Sequence, residues 1–474
     1  MILSDTRNRF WLTRFAFQRA LAFIYCAAFL VAAHQYVPLL GSDGIIPCAL
    51  FIKQVPFAQA PSLFYLIHSD AVLQAAAWSG LALALLALSG LSDARGWFLS
   101  TAVWFSLWLL QLSFVNVGYL FYSFGWESML LEAGFLAIFL GPSRSRPAPV
   151  LFWLYRWMLF RVIFGAGLIK LRGDGCWRDL TCMNYHYETQ PVPNAISWYL
   201  HKLPEGFHQA EVLFTHFVEL VIPWLYFAGG IPGMIAGGLT VLFQGTLIVS
   251  GNLSWLNYIT IVIALACFDD RLFPKILRRF KPAVPPEPGL FRKCVLAGLC
   301  TLIGILSIGP AVNLLSPEQK MNASFDPLNL VNAYGAFGGI TRVRREVILL
   351  GSADGKEWKE YEFKCKPGDV SRAPCLMSPY HYRLDWQIWF AAMNRLEYNP
   401  WIVNLAAKLL TNDAKTLSLL AGNPFPDSPP ALFRADLYEY RFTTSEERRN
   451  TGHWWKREYL GGYMPAVSRN DLRG

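Results

Sequence analysis

Charge is scarce in this chain. Only 16% of its 474 residues are Asp, Glu, Lys or Arg, against roughly 25% in a soluble globular domain. Hydrophobic residues make up 54%, a balance that cannot clothe a soluble surface and excludes a purely soluble protein. The short motifs of common catalytic machinery are absent as well. There is no Walker loop, no Rossmann glycine pattern after a strand, no His-Glu-x-x-His, no Gly-x-Ser-x-Gly and no paired Cys-x-x-Cys framework. Internal repeats and low-complexity tracts are missing too, so a solenoid is excluded. Tyr185-His186-Tyr187-Glu188 and Tyr380-His381-Tyr382 lack third and fourth ligands at zinc-like spacing and read as hydrogen-bonded loop histidines. No metal site is expected, and no cofactor is identified.

What the chain does have is long apolar runs, near 15–36, 71–90, 97–119, 126–141, 150–171, 212–229, 231–249, 253–269 and 293–313. Each approaches the length that spans a bilayer. The formal charge of +9 sits in clusters beside these runs, where membrane topology explains it without nucleic acid. Arg7, Arg9 and Arg14 precede the first run, Arg95 follows the second, and Arg144 and Arg146 follow the fourth. Arg271, Lys275, Arg278, Arg279 and Lys281 follow the eighth. All fall on even-side loops, so the rule that basic loops stay cytoplasmic predicts about nine transmembrane helices, N-inside and C-outside. Phe15 to Ala33 is longer than a signal-peptide core and has no small-residue cleavage site before His34 and Gln35, so it reads as a retained first helix.

The predicted organisation is a polytopic α-helical membrane bundle over 1–314, with extracytoplasmic loops 37–70 and 172–211. A small extracytoplasmic α+β, β-rich domain follows over 315–474. In that tail alternation replaces continuous hydrophobicity. Val347 to Gly351 and Trp358 to Phe363 flank Ala353-Asp354-Gly355-Lys356, a hairpin signal. Tyr382 to Met393 and Trp401 to Leu410 read as helical. Asn423 to Pro430 reads as a break before a strand at Ala431 to Phe442.

Of nine cysteines, Cys176 and Cys182 share one outer loop, and Cys365 and Cys375 lie ten apart in the tail. Two local disulfides are the economical pairing on an oxidising side. A thiol-disulfide exchange site, with Arg178 and Lys366 close by to lower a thiol pKa, is the alternative. Asn252-Leu253-Ser254 and Asn322-Ala323-Ser324 are outer-side sequons.

Ionisable groups inside spans are costly and usually pair inside the bundle. The fifth span carries Arg156, Arg161 and Lys170, with Arg156 and Lys170 within about 40° on an ideal helix. The fourth carries Glu127 and Glu132. His208, Glu211, Thr215 and Glu219 form a polar stripe leading into the sixth, with His216 beside it. An intramembrane polar network of Glu127, Glu132, Arg156, Arg161 and Glu211 follows. Lys170 is open to two readings, a snorkelling side chain at the outer interface or a base of tunable pKa.

The strings Gly173-Asp174-Gly175-Cys176-Trp177-Arg178-Asp179-Leu180-Thr181-Cys182 and Tyr185-His186-Tyr187-Glu188-Thr189-Gln190-Pro191-Val192-Pro193-Asn194 closely resemble the lipase maturation factor family. Ser250 to Asn257, Ala266 to Asp270, Asn332 to Gly338, Tyr361 to Asp369 and Ser378 to Trp386 extend the resemblance into the tail. It implies a multispan endoplasmic-reticulum membrane protein that assists folding and assembly of dimeric secreted lipases, or an inner-membrane protein if the source is bacterial. Phe164-Gly165-Ala166-Gly167-Leu168-Ile169-Lys170-Leu171 is similar, more faintly, to the vitamin K-dependent gamma-carboxylase. That resemblance implies Lys170 as a catalytic base.

Two functions compete. The first is a non-catalytic folding factor that holds secreted clients through exposed aromatics and their neighbours at Trp177, Tyr185, His186, Tyr187, Tyr380, His381, Tyr382 and Trp386. The second is a membrane enzyme with Lys170 as base and His216 and Glu219 lining a cavity.

Overall fold

The computed structural model describes residues 9–278 and 287–472; Arg7, Arg279 and Lys281 of the basic clusters lie outside them. Among the described residues seven helices are long and apolar enough to cross a membrane. They are α1 (Trp11–Leu40), α2 (Asp70–Ser89), α3 (Trp97–Asn116), α5 (Pro149–Arg172), α6 (Glu205–Phe227), α7 (Gly230–Ser250) and α9 (Leu290–Leu315). Two of the nine expected spans fall on shorter helices, α4 (Gly125–Ala137) and α8 (Leu256–Cys267). The sixth starts at Glu205, earlier than its apolar run, because the polar stripe before Val212 is itself helical.

The ends of the two short helices are well defined by their neighbours. At one end of the bundle Arg9 and Arg271 both pair with Asp269, just beyond α8. Asp270 accepts from the first amides of α1, Trp11 N at 3.0 Å and Leu12 N at 2.9 Å, and so caps a helix whose own N-terminus offers no capping side chain. Arg14 donates to Ser145 Oγ at 2.9 Å, in the loop after α4. At the opposite end Gln35 of α1 donates to the His381 carbonyl at 2.7 Å. Asn252, just before α8, donates to the Cys375 carbonyl at 2.8 Å, and Glu127 in the first turn of α4 meets Arg383. Asn252 is fully buried and also accepts from the Met377 amide, which leaves the first of the two sequons inaccessible in the folded chain. Asn322 is exposed.

The C-terminal region is built on a four-stranded antiparallel sheet of β1 (Arg344–Ser352), β2 (Lys359–Tyr361), β3 (Leu432–Phe442) and β4 (Trp455–Ser468), in the order β2-β1-β3-β4. The expected hairpin is β1–β2, with Leu349 opposite Tyr361. Asp354 Oδ1 accepts from the amides of Lys356 and Glu357 and Gly355 adopts φ 76°, the left-handed turn that glycine permits. Helix α10 (Arg383–Ala392) packs on β1, and α11 (Trp401–Leu409) lies against β3. Cys176–Cys182 and Cys365–Cys375 are disulfide-bonded, with Cα atoms 4.8 and 5.5 Å apart.

Sheet and bundle are joined by buried charge. Glu132 of α4 pairs with Arg161 of α5 and also accepts from the Asn332 amide at 3.0 Å and the Tyr334 hydroxyl at 2.8 Å. Arg383 Nη2 lies 2.7 Å from Glu127. Arg344, fully buried in β1, donates to Gln190 O at 2.5 Å and Pro191 O at 2.9 Å, while Glu346 neutralises both it and Lys366. Every one of these carboxylates has a cationic partner, which is the condition under which buried ions are tolerated.

Candidate functional site

The most distinctive site is a cavity of about 800 Å³ between α5, α6, α7 and the loop over 177–200. Its walls are mainly apolar, and Lys170 and Glu219 face each other on the inner one. Both residues are about 4% exposed. Lys170 Nζ donates to both carboxylate oxygens of Glu219 at 2.7 Å and lies 5.3 Å from the Trp177 ring centroid.

Local sequence explains how the pair meets. Glu219 sits in a π-helical turn, Phe217–Val221, just before Pro223. Proline cannot donate to the carbonyl four residues back, and a widened turn is the usual accommodation. Across from it, a Cβ at Gly167 would lie 3.0 Å from Glu219 Cβ. A Cβ at Gly165 would lie 2.5 Å from the Tyr334 carbonyl oxygen. Glycine at these two positions lets α6 and the 334–338 segment approach α5.

One end of the cavity is lined by the disulfide-bonded loop. The Trp177 indole donates to the Phe337 carbonyl at 2.9 Å, the Tyr187 hydroxyl donates to Glu211, and His208 bonds the other Glu211 oxygen at 2.9 Å. His186 also lines the cavity, and its Nδ1 is buried without a hydrogen-bond partner among the described residues. A second cavity of about 550 Å³ shares a wall with the first at His186, Leu253, Asn322 and Gly335–Phe337. It extends outward under α10 along Met321, Trp389, Phe390 and Met393.

Of the residues singled out in the sequence, Lys170, Glu219 and Glu211 come together at the cavity, as do Trp177, His186 and Tyr187. Three expectations need correction. His216 does not line the cavity; its Nε2 bonds the Trp177 carbonyl at 3.0 Å from behind. Arg156 meets no carboxylate, because it donates to the Ala266 carbonyl at 2.9 Å and stacks on Trp153. The proposed aromatic client surface is largely interior. Trp177, His186, Tyr187, His381 and Trp386 are buried, and Tyr185, Tyr380 and Tyr382 are half-buried. His381, for instance, is wedged among Phe124, Trp126, Trp255 and Trp386 at 5.2 to 6.2 Å. The buried rings of this set are used for packing. The Asn332–Tyr334 strap to Glu132 and the Arg383 contact were not anticipated; the presence of two acids in α4 was the one signal, and it was assigned to the bases of the fifth span.

Three histidines in these loops are held neutral. Burial, and for His186 the nearby Lys170 charge, pushes its pKa down to about 4. Burial with His208 nearby takes His201 to about 4, and burial with Arg383 takes His381 well below its ordinary value. Lowered folded values mean full stability above about pH 6.5, lost as pH falls toward 4, because the unfolded chain then binds the extra protons. At pH 5 His186 should account for about 2 kcal/mol of lost stability, and His381 adds to the loss in the same direction. The melting temperature of the detergent-solubilised protein is expected to drop between pH 7 and pH 5, and less so in His186→Gln/His381→Gln. An unchanged or rising melting temperature over that interval contradicts the assignment.

Residues 12–275 match the family model for the lipase maturation factor transmembrane domain, and residues 330–465 match that for the lipase maturation factor C-terminal domain. Lipase maturation factor 1 of Bos taurus is 48% identical over 514 residues, covering 98% of this chain and 90% of the relative. The Homo sapiens protein of that name is 46% identical over 505 residues, covering 98% and 89%. Lipase maturation factor 2 of Xenopus laevis is 28% identical over 598 residues, covering 97% and 83%. No solved structure matches. With two family models in sequence order and close to half of its residues shared with full-length relatives, this multi-pass membrane chain belongs to the lipase maturation factor family.

Proposed function

We propose that the protein is a maturation factor that assists folding and assembly of secreted lipases, with its C-terminal domain on the extracytoplasmic side, the lumen of the endoplasmic reticulum in a eukaryotic cell. All nine apolar segments cross the membrane in this reading. It is supported by the contacts of α4 and α8, which reach the Asp269 end and the Arg383 end of the bundle just as α1 does. The observation that carries the functional reading is the outer cavity. Met321 and Met393, 47% and 37% exposed, flank Trp389 and Phe390 where the C-terminal domain meets the bundle. Flexible thioethers beside aromatic rings suit varied apolar segments of a client that has not yet buried its core.

The test is secreted dimeric-lipase activity from cells lacking their own maturation factor, with variants compared at matched abundance. Wild type is expected to restore activity and Met321→Glu/Met393→Glu to lose most of it. Failure of wild type sinks the maturation role. Full rescue by the double variant removes the groove from it.

A second reading, a membrane enzyme using Lys170 as base, is favoured by one observation, the position of Lys170 on the wall of the larger cavity. Against it, both oxygens of Glu219 hold the ammonium.

A further inference from the structure

At the end of the bundle away from the C-terminal domain, a trough of about 980 Å³ runs between α3, the loop after α4 and the start of α9. Its long walls are hydrocarbon-like. Phe98 and Phe291 are 89% and 84% exposed, and Phe105, Phe139 and Leu296 continue the surface between them. Singly exposed apolar residues are unremarkable on a membrane protein, but these line one concavity that arginines line as well.

Arg292, in the first turn of α9, lies with its guanidinium 4.4 Å from the Trp97 ring centroid. Its Nη1 donates to the Arg146 carbonyl at 2.8 Å, while Nε and Nη2 are shielded from water and have no hydrogen-bond partner among the described residues. Arg144 lines the same trough, exposed and with no hydrogen bond or ion pair among the described residues. Arg146, which has a further contact besides, pairs with Glu287 at 3.2 Å, the one acid among the described residues lining the trough. Three cations thus face one carboxylate, which is itself 71% exposed. Trp97, stacked by Arg292, lines the trough as well, and tryptophan is a residue enriched at membrane interfaces.

We propose that this trough binds an anionic glycerophospholipid. The acyl chains lie along Phe98, Phe105 and Phe291, and the phosphate rests between Arg144 and Arg292. The charge excess selects the lipid class: a zwitterionic headgroup gains a phosphate contact but places its own cation beside the arginines. Basic pockets between helices at the headgroup level are sites of this kind. The site is independent of the maturation role and of the Lys170 cavity, which lies at the other end of α5.

The test is native mass spectrometry of the delipidated full chain in detergent, titrated separately with dioleoyl-phosphatidylglycerol and dioleoyl-phosphatidylcholine. Phosphatidylglycerol is expected to bind the wild type about tenfold more tightly or better, at about fivefold per arginine. Arg144→Gln/Arg292→Gln should remove that preference and leave phosphatidylcholine binding unchanged, and Glu287→Gln should strengthen phosphatidylglycerol binding severalfold. Equal binding of the two lipids by wild type overturns the proposal. So does a double variant that keeps the preference, or that loses both lipids alike while melting like wild type. If the double variant does not fold, Glu287→Gln decides: a gain for phosphatidylglycerol supports the site, and no gain overturns it.

Discussion

Arg383→Leu is expected to remove about 3–5 kcal/mol of stability, the range observed when one partner of a buried ion pair is deleted. Arg383 is fully buried, donates to the Phe121 carbonyl at 2.6 Å and to Glu127 at 2.7 Å, and lies 3.5 Å from the Tyr122 ring centroid. The leucine variant leaves Glu127 with neutral donors such as the Gln111 amide at 2.8 Å, a carboxylate without its cation inside a helix bundle. The expected readout is a collapse of the monodisperse peak on size-exclusion chromatography and a melting temperature lower by many degrees. Arg383→Leu/Glu127→Leu should recover much of the loss, because apolar replacement of both partners removes the desolvation penalty together with the attraction. Should the single variant melt with wild type, the idea that this pair fastens the C-terminal domain to the bundle is wrong.

Lys170 and Glu219 permit a sharper experiment, since one comparison separates structure from chemistry. Lys170→Met should cost about 3–5 kcal/mol by stranding Glu219, so a loss of cellular activity in that variant alone says nothing about catalysis. Lys170→Met/Glu219→Leu should fold nearly as well as wild type, with its apolar side chains facing an already apolar cavity. At matched abundance the folding-factor reading expects this double variant to restore secreted lipase activity. A well-folded double variant with no activity, beside an active wild type, would instead establish that the lysine does chemistry.

Where sequence order alone decides structure, the chain was legible. Continuous apolar runs gave the long helices, Asp354-Gly355 gave the β1–β2 turn, and the local cysteine spacing gave both disulfides, since each of these signals acts within a few residues. Strand β4 was not legible. It is an edge strand, largely exposed, carrying Lys456-Arg457-Glu458, Gly461-Gly462 and Pro465; such features keep edges from pairing with other chains and also hide them from a pattern search. The charge partners were hidden for a different reason. Glu127 and Arg383 are 256 positions apart, and an acid in α4 is matched as readily on paper by Arg156 as by its true partner. Only the fold shows that Arg156 is satisfied by a carbonyl. The aromatics were misread as surface because Trp, Tyr and His have the same composition signature in a binding face and in a packed interior.

The attachment of the last third of the chain to α4 also sets an order of events during synthesis. Glu127 is made long before Arg383, and Glu132 long before the Asn332 amide and Tyr334 hydroxyl that share its carboxylate with Arg161. Until the ribosome has delivered those residues, the short α4 must sit among its neighbours with one acid lacking its cation and the other incompletely bonded. The half-made bundle therefore carries two incompletely satisfied carboxylates until the C-terminal region arrives to partner them.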